Sequence, residues 1–304
     1  MSSERTVRDL ALPGDLKTAE VHSASLAYRE QGTGQPVVFV HGSISDLTTW
    51  NPQLPVVGAR YRAIAYSRRY AWPNQDLQKG EKDVMGPHVE DLLEFLRALD
   101  ADPAHLVGNS LGAFICLRAA VCEPVAVRSL VLEEPPLVPL ITGVPPGPGR
   151  ILVSLVRHPL VTLALTRLAV GMQPLERMIR AGEVESSVLL FARSVLGDEA
   201  FERLPEEVRA HVVANASASL GTLLAGAAGV EPISEAEIRA IKVPALVVTG
   251  AQSPPWLRRL ARLLDTLLPD SRCVEVPSAT HFMHLQNPAG LNAGLLHFLA
   301  DVST

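Results

Sequence analysis

A serine set between two glycines, Gly108-Asn109-Ser110-Leu111-Gly112, follows the apolar run His105-Leu106-Val107 and precedes a helix-compatible stretch. No other feature constrains the chain as strongly. A strand has to turn sharply into a helix there. The positions two before and two after the serine then have almost no room for a side chain, and the Ser110 hydroxyl is left exposed on a strained backbone. Ser110 is the first candidate for chemistry.

Two distant segments supply what a serine nucleophile needs. Upstream, Gln35-Pro36-Val37-Val38-Phe39-Val40 reads as a buried strand ending in His41-Gly42-Ser43, where a loop can aim backbone N–H groups at a developing oxyanion. Downstream, Val276-Pro277-Ser278-Ala279-Thr280-His281 ends a short strand on a histidine, a general base for a serine. With Tyr66-Ser67-Arg68-Arg69-Tyr70 and the run from Thr280 through Gln286-Asn287-Pro288, these residues resemble the α/β-hydrolase family along nearly the whole chain. The resemblance implies a mostly parallel eight-stranded sheet covered by helices, with a helical cap insertion. It also implies a serine nucleophile, Ser110, a histidine base, His281, and an oxyanion hole from the N–H groups of Ser43 and Leu111.

The third member of the triad is harder to place. The imidazole needs a carboxylate on its far nitrogen to hold the tautomer and stabilise the imidazolium. Most of the family carries it on the loop after the strand ending at Gly250, but here that loop is Gly250-Ala251-Gln252-Ser253-Pro254-Pro255, with no acid. Asp265, Asp270 and Glu275 read as solvated surface groups. Glu133 and Glu134 end the strand after the elbow, and because consecutive strand residues point to opposite faces, only one of them can reach the histidine. Glu134, 24 positions after Ser110, resembles the acid of zearalenone lactone hydrolases and of those haloalkane dehalogenases whose acid follows that strand. Glu134 is therefore the expected acid, ahead of Glu133. The competing view of the pair is a charged strand end held by Arg68 or Arg69.

Alternating strand and helix patterns cover residues 1–136 and 242–304, the expected core. Strands disappear from 137 to 241, the expected helical cap, whose apolar Leu152, Leu155, Leu163, Leu165 and Val170 either face a substrate or pack the cap onto the core. His41 reads as a loop organiser and His284 as a packing residue. Trp50, Trp72 and Trp256 are candidates for a pocket wall. Ser67 replaces an aspartate frequent in the family.

A net charge of −5 with only 7 Phe, 4 Tyr and 3 Trp argues against a nucleic-acid or membrane partner. The three cysteines, without Cys-x-x-Cys spacing, read as buried small residues in a cytoplasmic protein. Met1 to Asp9 is charged and lacks the apolar centre of an export signal. The expected activity is hydrolysis of a small hydrophobic carboxylic ester or lactone, zearalenone being the specific example, through an acyl-enzyme. No metal or organic cofactor is required, and a homo-oligomer is left open. The alternatives are an epoxide hydrolase, a haloalkane dehalogenase or a carbon–carbon bond hydrolase of the same fold and, from another class, a small-molecule receptor on a hydrolase scaffold.

Overall fold

The computed structural model describes residues 15–22, 24–75, 77, 83–144, 146–225 and 229–303; the charged N-terminal stretch lies outside them. Eight strands form one sheet in the order β1-β2-β4-β3-β5-β6-β7-β8. They are β1 (Lys17–Val21), β2 (Ala24–Gln31), β3 (Pro36–Val40), β4 (Arg62–Tyr66), β5 (Ala104–Asn109), β6 (Val127–Glu133), β7 (Ala245–Gly250) and β8 (Ser271–Val276). β1 and β2 form an antiparallel opening of the sheet, and β2 pairs antiparallel with β4. All remaining pairings are parallel. Buried on both faces, the central strands are apolar throughout instead of alternating: Val37, Val38, Phe39 and Val40 have no exposed surface.

One face is covered by α2 (Met85–Ala98) and α3 (Leu111–Cys122), the other by α1 (Leu54–Gly58) and later by the C-terminal helix. Between β6 and β7 the described residues form nine helices: α4 (Val138–Thr142), α5 (Pro148–Arg157), α6 (Pro159–Gly171), α7 (Leu175–Arg180), α8 (Val184–Leu196), α9 (Asp198–Glu202), α10 (Glu206–Ala214), α11 (Ala216–Ala225) and α12 (Glu235–Ala240). α13 (Pro255–Leu267), α14 (Met283–Gln286) and α15 (Pro288–Val302) complete the chain. α8 to α11 pack around a separate core containing Val188, Phe201 and Val212, which also takes in Ile44 and Phe282 from loops at the sheet edge. That shared core seats the helical insertion over the carboxyl ends of the strands.

The sheet order explains where a site forms. From β3 the chain moves to β4 on one side and then crosses to β5 on the other, so the loops after β3 and β5 diverge and leave a crevice at the carboxyl edge. Register does the rest: Val40 lies opposite Gly108, and Asn109 opposite Glu133. Residues 24 positions apart in sequence thus leave the sheet side by side. Two expectations fail. Cys116 is buried, but Cys122 at the end of α3 and Cys273 within the edge strand β8 are exposed free thiols. Of the five apolar residues singled out between 137 and 241, only Leu165 is buried; Leu152, Leu155, Leu163 and Val170 point to solvent. Helical periodicity identifies an apolar stripe but not the direction it faces.

Candidate active site

Ser110 sits at φ +52° and ψ −119°, between the end of β5 and the first turn of α3. The flanking glycines are required by close approach. A Cβ on Gly108 would lie 2.5 Å from the Ala113 nitrogen, and one on Gly112 would lie 2.1 Å from the Val40 carbonyl oxygen. Helix α3 is pressed against β3 and β5, and only glycine permits that distance. The Ser110 N–H is tied to the Glu133 carbonyl at 2.8 Å.

The two expected oxyanion donors are oriented by their own peptide units. In a trans peptide the N–H points away from the preceding C=O. The Gly42 carbonyl accepts from Arg68 Nη2 at 2.9 Å and from His41 Nδ1 at 2.9 Å, which turns the Ser43 N–H the opposite way. The Ser110 carbonyl accepts from Phe114 N at 3.1 Å as the first bond of α3, so the Leu111 N–H projects outward from the helix start. Among the described residues neither N–H meets an acceptor. The Ser43 carbonyl in turn accepts from Ser219 Oγ on α11 at 3.0 Å, and Ser45 Oγ lies 3.0 Å from His211 Nε2 on α10.

His41 is fully buried, and its Nε2 accepts from the Arg68 N–H at 2.9 Å, so the ring hydrogen is on Nδ1. Burial and the adjacent Arg68 guanidinium hold its pKa well below the ordinary 6.5. It is a neutral fastener of the loop, not a base. Neither arginine holds the glutamate pair: Arg68 also reaches the His41 carbonyl and His88, and Arg69 is forked onto Asp91. Ser67 is buried, accepts from Leu47 N at 3.0 Å and donates to the Trp72 carbonyl at 2.5 Å. It joins two loops.

His281 follows β8 on a loop held from both sides. Gln286 Oε1 accepts from Thr280 N at 2.7 Å, and Asn287 Nδ2 donates to the Pro277 carbonyl at 2.8 Å while its Oδ1 caps α15. This is the physical role of the polar pair before Pro288. Asn109 Nδ2 donates to the His281 carbonyl at 3.0 Å. On the ring, Nδ1 lies 2.7 Å from Glu134 Oε2, and because a carboxylate only accepts, Nδ1 carries the hydrogen and Nε2 is left with its lone pair. Glu134 Oε1 accepts from Thr249 Oγ1 at 2.5 Å and from Gly250 N at 3.1 Å. Glu134 itself sits at φ +46°, a backbone conformation unfavourable for a residue with a Cβ.

Glu133 goes elsewhere. Its Oε2 accepts from His284 Nδ1 at 2.9 Å and lies 3.3 Å from Asn109 Nδ2, and His284 Nε2 accepts from Thr49 Oγ1 at 2.8 Å. Trp50 packs against His284 with ring centroids 4.7 Å apart and planes inclined at 36°, and is fully buried. Asp265 binds Ser271, and Glu275 is taken up by Arg258 and Arg262.

Ser110, His281, Gly42 and Ser43 line one cavity of about 40 Å³. Its apolar wall comes from Ile44 and Phe282 and from Phe191, Ala192, Val195 and Leu196 of α8. None of the three tryptophans lines it. Phe191 and its neighbours on α8 were invisible to sequence reasoning, since an amphipathic helix carries no mark of what its inner face meets. Phe282, next to His281, could have been inferred from adjacency. Among the described residues no cluster of His, Cys, Asp and Glu could hold a metal ion.

A model of the Alpha/beta hydrolase family matches residues 37–293. A Mycobacterium tuberculosis protein bearing the name of a non-heme bromoperoxidase, BpoC, is 27% identical over 283 residues, covering 91% of this chain and 98% of that one. Among solved structures, a hydrolase from Pseudomonas aeruginosa is 25% identical with a TM-score of 0.69, covering 94% of this chain and 98% of its own. A thermophilic esterase from Thermogutta terrifontis is 20% identical with a TM-score of 0.71, covering 96% and 100%; at that identity it supports the fold alone.

Proposed function

The chain belongs to the α/β-hydrolase family, an enzyme family of hydrolases, and on that premise we propose that it cleaves a carboxylic ester or lactone through a Ser110-His281-Glu134 triad. The observation that carries this reading is the 2.7 Å bond from His281 Nδ1 to Glu134, with Ser110 and His281 lining the same cavity. His281 Nε2 takes the Ser110 proton as the oxygen attacks the carbonyl carbon. The N–H groups of Ser43 and Leu111 stabilise the oxyanion, each such donor contributing about 3 kcal/mol. His281 returns the proton to the leaving alcohol, and water activated by the same ring releases the acid. The chemistry asks for no cofactor. The helices between 137 and 241 act as the cap that closes the site from water.

The size of the cavity favours a short acyl group. Pockets for drug-sized ligands run to roughly 300–1,000 Å³, well above the 40 Å³ here. A macrocyclic lactone such as zearalenone enters only if α8 moves outward. A panel of acetyl, butyryl and longer aryl esters together with zearalenone, run on the wild type and Ser110→Ala, tests this, with intact mass after a serine-directed fluorophosphonate. Short esters are expected to be turned over best, and the adduct to vanish in Ser110→Ala. Unchanged activity in Ser110→Ala overturns the nucleophile, and a preference for the macrocycle overturns the size argument. Peroxide-dependent bromination, the reaction in the name of the Mycobacterium relative, is assayed on the same preparation; bromination faster than ester cleavage overturns the ester reading.

A further inference from the structure

The cap carries a surface that catalysis does not use. α5 and α6 form a hairpin docked by a narrow inner edge, Ser154, Val161 and Leu165, while Leu152, Val153, Leu155, Val156, Leu160, Leu163 and Val170 are 44–79% exposed. Seven large aliphatic side chains on two consecutive helices are left open to solvent, of a kind that soluble surfaces seldom leave exposed together. The chain around them is unusual in a second respect. From Pro135 to Leu175 there is no Asp or Glu, although the protein has 32 acidic residues and a net charge of −5. Arg150, Arg157 and Arg167 lie in that acid-free span.

A groove of about 320 Å³ adjoins the hairpin where α6 packs on α13, and its charged lining is Arg157, Arg259 and Arg262 beside His158, again with no acid. Arg157 has Glu235 at 3.6 Å and Arg262 has Glu275 at 3.2 Å, but Arg150, Arg167 and Arg259 have no carboxylate within reach among the described residues. The overall negative charge therefore misdescribes this face, which is apolar in the middle and cationic around it.

We propose that the α5–α6 face docks on an anionic phospholipid surface, its aliphatic side chains entering the headgroup–acyl boundary and its arginines meeting lipid phosphates. That is the composition of a helix lying in a membrane interface, and no helix among the described residues is long and apolar enough to cross one. A second copy of the chain fits the same face less well. A two-fold interface sets a patch against itself, which here brings together the arginines of an acid-free span, Arg150, Arg157 and Arg167, of which only Arg157 has a carboxylate near it. The inference is independent of the hydrolytic reading. α6 also touches α8, whose inner side lines the cavity, so docking lies one helix away from the site.

The test is co-sedimentation with vesicles of phosphatidylcholine alone and of phosphatidylcholine mixed with phosphatidylglycerol. The protein is expected to bind the anionic vesicles about tenfold more than the neutral ones, and less as salt is raised. Val156→Glu with Leu160→Glu, and separately Arg150→Glu with Arg167→Glu, should each lower binding about tenfold or more, from roughly fivefold per basic side chain near such a surface, at unchanged melting temperature. Equal binding to both vesicles overturns the proposal, as does binding that survives the first pair of substitutions. Sedimentation velocity without lipid supplies the rival outcome: a dimer that Val156→Glu with Leu160→Glu dissolves marks the face as a contact between copies, and the proposal falls.

Discussion

Two carboxylate–imidazole pairs stand side by side at the end of β6, Glu134 with His281 and Glu133 with His284, built from adjacent glutamates and from histidines three residues apart. Their near-equal contacts, 2.7 and 2.9 Å, would make them interchangeable if contact were the criterion. What separates them is the far ring nitrogen. In His284, Nε2 is occupied by the Thr49 hydroxyl and the ring packs against Trp50, so both ring nitrogens are already engaged. In His281 the same nitrogen is left for the cavity that Ser110 shares. A buried acid and imidazole make a base only where the second nitrogen has nothing else to bind.

The largest effect that can break this comparison comes from paired amide substitutions. Glu134→Gln should lower kcat by about 10⁴, because a neutral amide no longer holds the right tautomer or stabilises the imidazolium. Glu133→Gln should leave kcat within about tenfold and cost about 1–3 kcal/mol in denaturant unfolding. Equal kinetic losses would erase the distinction.

A third buried imidazole sharpens the contrast, because it has no carboxylate. His105 meets Ser129 and Gln35, and burial lowers its pKa from the ordinary 6.5 to about 4. Between those values the unfolded chain binds the proton and the folded one does not. Stability is therefore complete above about pH 6.5 and is lost as pH falls toward 4, by on the order of 3 kcal/mol. Melting temperatures of wild type and His105→Gln across that window should converge as pH drops; parallel curves would remove His105 as the cause.

Smaller changes probe the surroundings of the Glu134 pair. Thr249→Val removes the hydroxyl donor on Glu134 Oε1 and should lower kcat about tenfold, with KM nearly constant in steady-state assays. Ser219→Ala removes the donor on the Ser43 carbonyl, the contact through which α11 holds the loop that carries the proposed oxyanion donor. About a threefold loss in kcat is expected, and a change confined to KM would place the effect in substrate fit instead.

Much of the core was legible in local pattern. Apolar runs, most of them ending in Gly or Pro, mark the strands after β2, and Val89, Leu92, Leu93 and Leu96 recur at helical spacing in α2; β8 begins three residues before its apolar end, because Ser271 to Cys273 lie on a more exposed edge strand. The glycines around Ser110 reported a close approach that the structure shows as would-be contacts near 2 Å. The missing acid after Gly250 directed attention to the glutamate pair, since a required charge has to come from somewhere nearby.

The sequence by itself therefore determined the alternation of strand and helix, the elbow and the short list of reactive side chains, because each is written in spacing or in a residue type that a local backbone demands. Only the tertiary structure decided which glutamate meets which histidine, that α8 walls the cavity, and that the apolar stripes of α5 and α6 face outward. Those outcomes depend on register and on the rotation of one helix against another, and such relations are set by contacts between residues far apart along the chain.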